Sequence, residues 1–232
     1  MNIVITGASR GIGFDTAIAL AANKANTVIA LSRNIEGLHK LSVWANEQGL
    51  HIDTYQADLT NIETAALSAI FERYEVIDIL INNAGTLINK PFLQTGINEW
   101  KALFETNVFS QLNLIKFLIP LLSKSSTAHI VNIGSMGGYQ GSSKFTGLAA
   151  YSASKAALAN ITECLAEELK PLHIKVNCLA LGAVNTEMLN AAFPGFNAPV
   201  NSKEMAAYIA AFAVEYHKYF NGKILPVAVS TP

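Results

Sequence analysis

The sequence predicts a doubly wound (Rossmann-like) α/β fold: a parallel sheet of about seven strands with helices on both faces, a three-layer sandwich. Three observations carry this. Short apolar runs at residues 2–5, 27–31, 51–55, 77–82, 129–133, 175–179 and 223–227 alternate with longer segments of helical spacing. A glycine-rich turn joins the first run to the first helical segment. The length, 232 residues, is usual for one large α/β domain. No linker interrupts the alternation, so one domain over residues 1–232 is expected, with a short substrate lid around residues 186–202.

Composition narrows the class. Hydrophobic residues make up 51% of the chain and charged residues 14%, enough for a large core. A net charge of −1 provides no basic field to draw nucleic acid or an anionic membrane. Cys164 and Cys178 fall in apolar periodic segments and read as buried, reduced thiols, without a disulfide framework or metal-binding spacing. His129 and His173 begin predicted strands and read as strand-edge residues rather than metal ligands. The first strand starts at Asn2, so no signal peptide is expected. The most apolar stretch, residues 107–122, is broken by Gln111, Lys116 and Pro120, so neither is a membrane span. A cytoplasmic protein fits these features.

The first strand, Ile3-Val4-Ile5, runs into Thr6-Gly7-Ala8-Ser9-Arg10-Gly11-Ile12-Gly13, and Ala17, Ile18, Leu20 and Ala21 continue as a helix. Gly7 permits the tight turn, Gly11 lets backbone approach a pyrophosphate, and Gly13 lets helix and strand pack closely. The helix N-terminus then presents free N–H groups and a partial positive charge to phosphate. Ser9, Arg10 and Ile12 belong to the same cradle. The competing reading is a glycine turn that binds nothing.

The end of the second strand bears on cofactor choice. NAD sites place a carboxylate there for the ribose 2′-hydroxyl. Here the run is Ala30-Leu31-Ser32-Arg33-Asn34, with no acid. Ser32, Arg33 and Arg10 are candidates for a 2′-phosphate, because a guanidinium fork matches phosphate oxygens. NADP(H) is expected in preference to NAD(H); the alternative is a pair of solvated arginines.

Further motifs follow in order. Asp58-Leu59 follows the third strand, and Asn82-Asn83-Ala84-Gly85 ends the fourth. Asn107 lies within a long helix expected over residues 99–122. Ile133-Gly134-Ser135 ends the fifth strand, and Tyr151-Ser152-Ala153-Ser154-Lys155 opens a later helix. With these motifs the chain resembles the short-chain dehydrogenase/reductase family (SDR) from Asn2 to about Leu189. The resemblance implies an oxidoreductase whose catalytic residues are Asn107, Ser135, Tyr151 and Lys155. It further implies cofactor contacts at Asp58, Leu59, Asn83, Ala84, Gly85, Gly182, Val184 and Thr186, with Tyr151 and Lys155 also on the cofactor side.

The residue chemistry agrees with that implication. A free tyrosine has a pKa near 10, too high for ready proton exchange at neutral pH. A lysine four residues on lies on the same helix face, where its charge favours the phenolate. Tyr151 is the candidate acid in reduction and base in oxidation. Ser135 would hold the substrate oxygen; otherwise it is a turn serine bonding its own backbone. Asn107 would hold a water in a proton relay, or else bond a neighbouring carbonyl.

Three departures from the family pattern stand out. The segment from Ser135 to Tyr151 is longer than usual, with the excess in Gly141-Ser142-Ser143-Lys144-Phe145, so Ser142 or Ser143 competes with Ser135. Leu181-Gly182 replaces the family's Pro-Gly after the sixth strand, so the turn loses proline's stiffening. The C-terminus is short and lacks the usual tail. Met136, Tyr139, Phe145, Leu181, Met188, Leu189, Phe193 and Phe196 are the expected pocket walls, which suit a small to medium, rather apolar carbonyl compound or alcohol. The helix over residues 99–122 is apolar on more than one face, and the helix over 149–169 is rich in small residues; a homodimer or homotetramer is expected. A nucleotide-sensing binding protein of the same fold is the alternative function, distinguished by absence of turnover.

Overall fold

The computed structural model describes residues 1–229; Ser230, Thr231 and Pro232, the end of the expected domain, lie outside the described residues. Its centre is a seven-stranded, wholly parallel sheet. The strands are β1 (Asn2–Thr6), β2 (Thr27–Ser32), β3 (Ile52–Gln56), β4 (Ile79–Asn82), β5 (His129–Ser135), β6 (Lys175–Leu181) and β9 (Ile224–Val227). A separate two-stranded ladder pairs β7 (Val184–Asn185) with β8 (Val200–Asn201). The order β3-β2-β1-β4-β5-β6-β9 reverses direction at β1, which lies between β2 and β4. A crevice therefore opens beyond the carboxyl end of β1, the position at which such sheets bind ligands.

Alternation along each strand decides which layer it feeds. Ile3 and Ile5 of β1 point to one face, with α1 (Gly11–Ala21), α2 (Ile35–Glu47) and α8 (Ser202–Val214). Val4, between them, points to the other, with α3 (Thr64–Phe71), α5 (Ser110–Leu122) and α6 (Ala149–Glu168). Both cores are well filled: Leu38, Leu41 and Phe212 on the first face and Leu80, Leu118 and Ile130 on the second are essentially inaccessible.

Several expectations shift. The third, fourth and seventh sheet strands begin one or two residues later than their apolar runs. The helix expected over residues 99–122 begins at Ile97 as α4 (Ile97–Phe104), widens into a π-turn over Glu105–Phe109, and continues as α5. Asn107 sits in that π-turn, a geometry frequent at functional sites. Cys178 is buried as expected, but Cys164 is exposed on α6. His129 is not a peripheral strand-edge residue: it is fully buried, its Nδ1 is 3.1 Å from the Ala213 carbonyl, and Asn177 Nδ2 donates to its Nε2 at 3.0 Å. His173 ends a 3₁₀ turn in the left-handed region, φ 57°, ahead of β6. β9 completes the sheet beside β6, and Gly182 N–H donates to the Val227 carbonyl at 2.9 Å.

Candidate active site

A cavity of about 850 Å³ runs across the carboxyl ends of β1 to β6. One half is lined by the glycine turn, the ends of β2 and β3, and Asn83, Ala84 and Gly85. The other half is lined by Ser135, Tyr151, Lys155 and an apolar wall. Every cofactor candidate, from Gly7 to Thr186, lines this cavity.

The first half suits a dinucleotide. Arg10 is the N-cap of α1 but its side chain makes no capping bond, so the first-turn N–H groups at Gly11, Ile12 and Gly13 face the cavity without that partner. Gly11 has φ 55°, which a side-chain-bearing residue rarely adopts. Asn83 supports the turn from beneath: its Nδ2 donates to the Thr6 carbonyl at 2.9 Å and the Gly7 carbonyl at 3.3 Å. Ser32 Oγ donates to Ser9 Oγ at 2.8 Å, joining the β2 end to the turn. Asp58 Oδ1 accepts from the Thr60 N–H and hydroxyl, which fixes the loop after β3. Arg33 lines the cavity beside Ser32. Arg10, expected to be available for phosphate, instead pairs with Glu187 at 2.9 Å. That carboxylate is 177 residues away, so nothing local signalled the pair.

At the chemical end, Tyr151 and Ser135 line the same wall. Burial raises the Tyr151 pKa, and the Ser135 hydroxyl acts against that rise. Lys155 is 4% exposed, and burial lowers its pKa to about 8, with the nearby Cys178 thiol opposing the shift. The Lys155 ammonium donates to the Ile133 carbonyl at 2.8 Å. The i, i+4 spacing puts Tyr151 and Lys155 on one helix face, but the open end of β5 captures the charge.

Asn107 is fully buried and does not line the cavity. Its Oδ1 accepts from Thr86 N–H at 2.8 Å, and its Nδ2 donates to the Thr86 carbonyl at 2.9 Å and to Ser154 Oγ at 3.0 Å. Ser154 Oγ in turn donates to the Tyr151 carbonyl at 2.7 Å. The side chain thus ties the segment after β4 to the helix that carries Tyr151 and Lys155; it is committed to protein partners rather than presented for a water. Its neighbours Thr106 and Ser110 line the cavity, which the sequence reading missed.

Ser135 lines the cavity; Ser142 and Ser143 do not. Ser142 Oγ is bonded to the carbonyls of Met136 and Tyr139, and Lys144 Nζ donates to the Tyr139 carbonyl at 2.6 Å. The longer segment is therefore folded on itself, and Phe145 is the residue it contributes to the wall. Met136, Leu181, Met188, Leu189, Phe193 and Phe196 join it as expected, Leu148 is an addition, and Tyr139 is not part of the wall.

The segment expected as a lid contains α7 (Glu187–Ala192), which is bounded by the β7–β8 ladder and N-capped by Thr186, whose Oγ1 accepts from Leu189 N–H at 3.2 Å. This segment meets the glycine turn directly: Arg10 pairs with Glu187 at 2.9 Å, and a Cβ on Gly11 would lie 3.6 Å from Thr186 Cγ2.

Residues 1–195 match the family model for short chain dehydrogenases. The chain belongs to the short-chain dehydrogenase/reductase family. It is an oxidoreductase of that family with a nucleotide cofactor site. It is 30% identical to an oxidoreductase of Staphylococcus saprophyticus over 222 residues, 94% of this chain and 92% of the relative. A short chain dehydrogenase of Shigella flexneri 2a, solved in complex with NADP, superposes with a TM-score of 0.88 at 28% identity, covering 97% of this chain and 95% of the other. A 3-oxoacyl-(acyl-carrier protein) reductase of Brucella melitensis, solved with bound NAD, superposes with a TM-score of 0.84 at 26% identity, covering 98% and 89%. The seven-stranded fold of the family and this chain's sheet are the same architecture. Among the described residues no helix is long and apolar enough to cross a membrane.

Proposed function

We propose that the protein transfers a hydride between NADP(H), used in preference to NAD(H), and the carbonyl or secondary alcohol of a small to medium, rather apolar substrate. One observation carries this reading: Tyr151, Ser135 and Lys155 line one wall of a cavity whose opposite half is an open phosphate cradle. The far end, bounded by Met136, Phe145, Leu148, Leu189, Phe193 and Phe196, has no charged side chain among these six and suits an apolar body.

The cradle formed by Gly11, Ile12 and Gly13 would hold the pyrophosphate, Asp58 and Leu59 the adenine, and Lys155 the nicotinamide ribose. Ser32 and Arg33 would hold a 2′-phosphate; the absence of an acid at the β2 end supports NADP(H). When bound, the reduced cofactor supplies the hydride. Tyr151 then gives its hydroxyl proton to the substrate oxygen, and takes it back in oxidation. Ser135 donates a hydrogen bond to that oxygen and orients it. Asn107 acts at one remove, by fixing the Tyr151 helix against Thr86.

An NADPH-oxidation screen over ketones, aldehydes, diketones and quinones tests this reading. Turnover of an apolar ketone supports it; tight NADPH binding without turnover of any member defeats it. We further infer a cytoplasmic homodimer or homotetramer acting on a small molecule. Support for association is the groove on α4 and the π-turn, lined by Ile97, Trp100, Phe104 and Phe109 together with Lys101 and Glu105.

A further inference from the structure

We propose that Asn89 is a specificity-determining residue: its side chain latches the lid helix over the substrate half of the cavity and so governs which carbonyl compounds enter and remain. The role in turnover rests on the reductase reading above; the latch itself does not.

The lid helix needs such a device. α7 has six residues and none of them is buried. A helix of that length is not stable by itself, and its last carbonyls have no partner within the helix. Asn89, 103 residues away in the loop after β4, donates from Nδ2 to the carbonyl of Ala192, the final residue of α7, at 2.8 Å. The opposite end is held by Thr186 as N-cap and by the Glu187–Arg10 pair. Both members of that pair are largely exposed, and exposed ion pairs contribute little. Asn89 supplies the side-chain hydrogen bond at the C-terminal end of α7, an exposed contact like the Arg10–Glu187 pair, next to Phe193 on the pocket wall.

The latch is itself held in place. Gly147 has φ 85°, and a Cβ there would collide with Asn89 Oδ1, so the bare face of this glycine is the seat of the amide. The next residue, Lys90, donates its backbone N–H to the Gly147 carbonyl at 2.9 Å, while its ammonium is bonded to both Glu99 oxygens. Three segments thus meet at Asn89: the loop after β4, the loop that delivers Phe145 and Leu148, and the lid. All three contribute walls to the substrate half, through Leu87, Phe145, Leu148, Leu189 and Phe193. The Asn89–Ala192 bond ties the lid to the other two segments, and Asn89 is not among the residues that line the cavity.

The test compares wild type with Asn89→Asp, which keeps the shape and loses the donor, and Asn89→Ala. Hydrogen exchange by mass spectrometry follows the peptide spanning residues 186–196, with and without NADP+. Michaelis constants are measured over a series of methyl ketones of increasing chain length. One net hydrogen bond corresponds to about a fivefold change in opening. Both variants are expected to exchange about fivefold faster in the lid, with unchanged exchange in α1. KM should rise for short ketones, longer ketones should gain relative to short ones, and kcat and the NADPH dissociation constant should hold. Unchanged lid exchange in both variants overturns the latch. Faster exchange with an unaltered ketone profile overturns the role in specificity. If wild type turns over no carbonyl, the reductase reading fails alone, and lid exchange still decides the latch.

Discussion

Lys155 Nζ donates a 2.8 Å hydrogen bond to the carbonyl of Ile133, two residues before Ser135 on the same strand. A single charged side chain thus spans from the helix of Tyr151 to the strand of Ser135 and holds the two hydroxyls' supports together. Burial lowers its pKa to about 8. The cationic form is the stronger donor to Ile133 and would be the stronger donor to a ribose hydroxyl. kcat/KM for reduction should therefore fall as pH rises through about 8. In Lys155→Arg, whose charge persists, that limb should vanish from the accessible range, at a lower overall rate. A wild-type profile flat from pH 7 to 10 would contradict this.

Arg33 should decide between cofactors. Loss of a bidentate phosphate contact costs about 1.5–3 kcal/mol, or roughly 10- to 150-fold in affinity. Arg33→Ala should weaken NADPH by that range and leave NADH nearly unchanged. The check is a pair of dissociation constants from nicotinamide fluorescence. Equal affinity of wild type for NADPH and NADH refutes the preference.

Arg10 is paired with Glu187; if cofactor phosphate draws on the same guanidinium, Glu187→Gln should tighten NADPH binding. Because the pair is largely exposed, the gain should stay below about fivefold and shrink with added salt. Weaker binding in the variant would show that Glu187 does not compete.

Association should run through the π-turn face. Phe109 is 48% exposed there, beside Trp100 and Phe104. Wild type should scatter light as a dimer or tetramer at micromolar concentration, and Phe109→Lys should shift it toward monomer. A monomeric wild type would contradict the expectation.

Acid sensitivity should originate at His129. Burial lowers its pKa to about 3, against 6.5 when unfolded. Between those values the unfolded chain binds the extra proton, so stability falls as pH drops from about 6.5 toward 3, by up to about 1.4 kcal/mol per pH unit. His217, its ring tilted against that of His129 with centroids 5.1 Å apart, is lowered in the same direction and for the same reason. Urea midpoints against pH should show this slope, and His129→Gln should flatten it. An identical slope in the variant places the sensitivity elsewhere.

The sheet and the cofactor cradle were legible because their signals are local: alternation within a strand, glycines within one turn, and an uncapped helix start. Features set by distant partners were not. Arg10 meets Glu187 and Asn89 meets Ala192 only after the chain has folded. The π-turn at Asn107 arises where side-chain bonds to Thr86 and Ser154 lock one residue, without a compositional mark. Cys164 and Cys178 occupy similar apolar surroundings in sequence. On α6, small residues on several faces hide the helix phase, so the exposure of Cys164 could not be read. The Tyr-x-x-x-Lys spacing correctly joined two groups on one face, but which partner takes the ammonium depends on the end of β5.

Tyr151→Phe tests the central claim most directly. The change removes one hydroxyl from a half-buried side chain and keeps the ring that packs the wall. General acid catalysis contributes about 10²–10⁴ in rate, so single-turnover reduction of an accepted ketone should fall by at least about 10²-fold, with NADPH affinity unchanged. A variant that reduces the same ketone at the wild-type rate would contradict the assignment of Tyr151 as the proton donor.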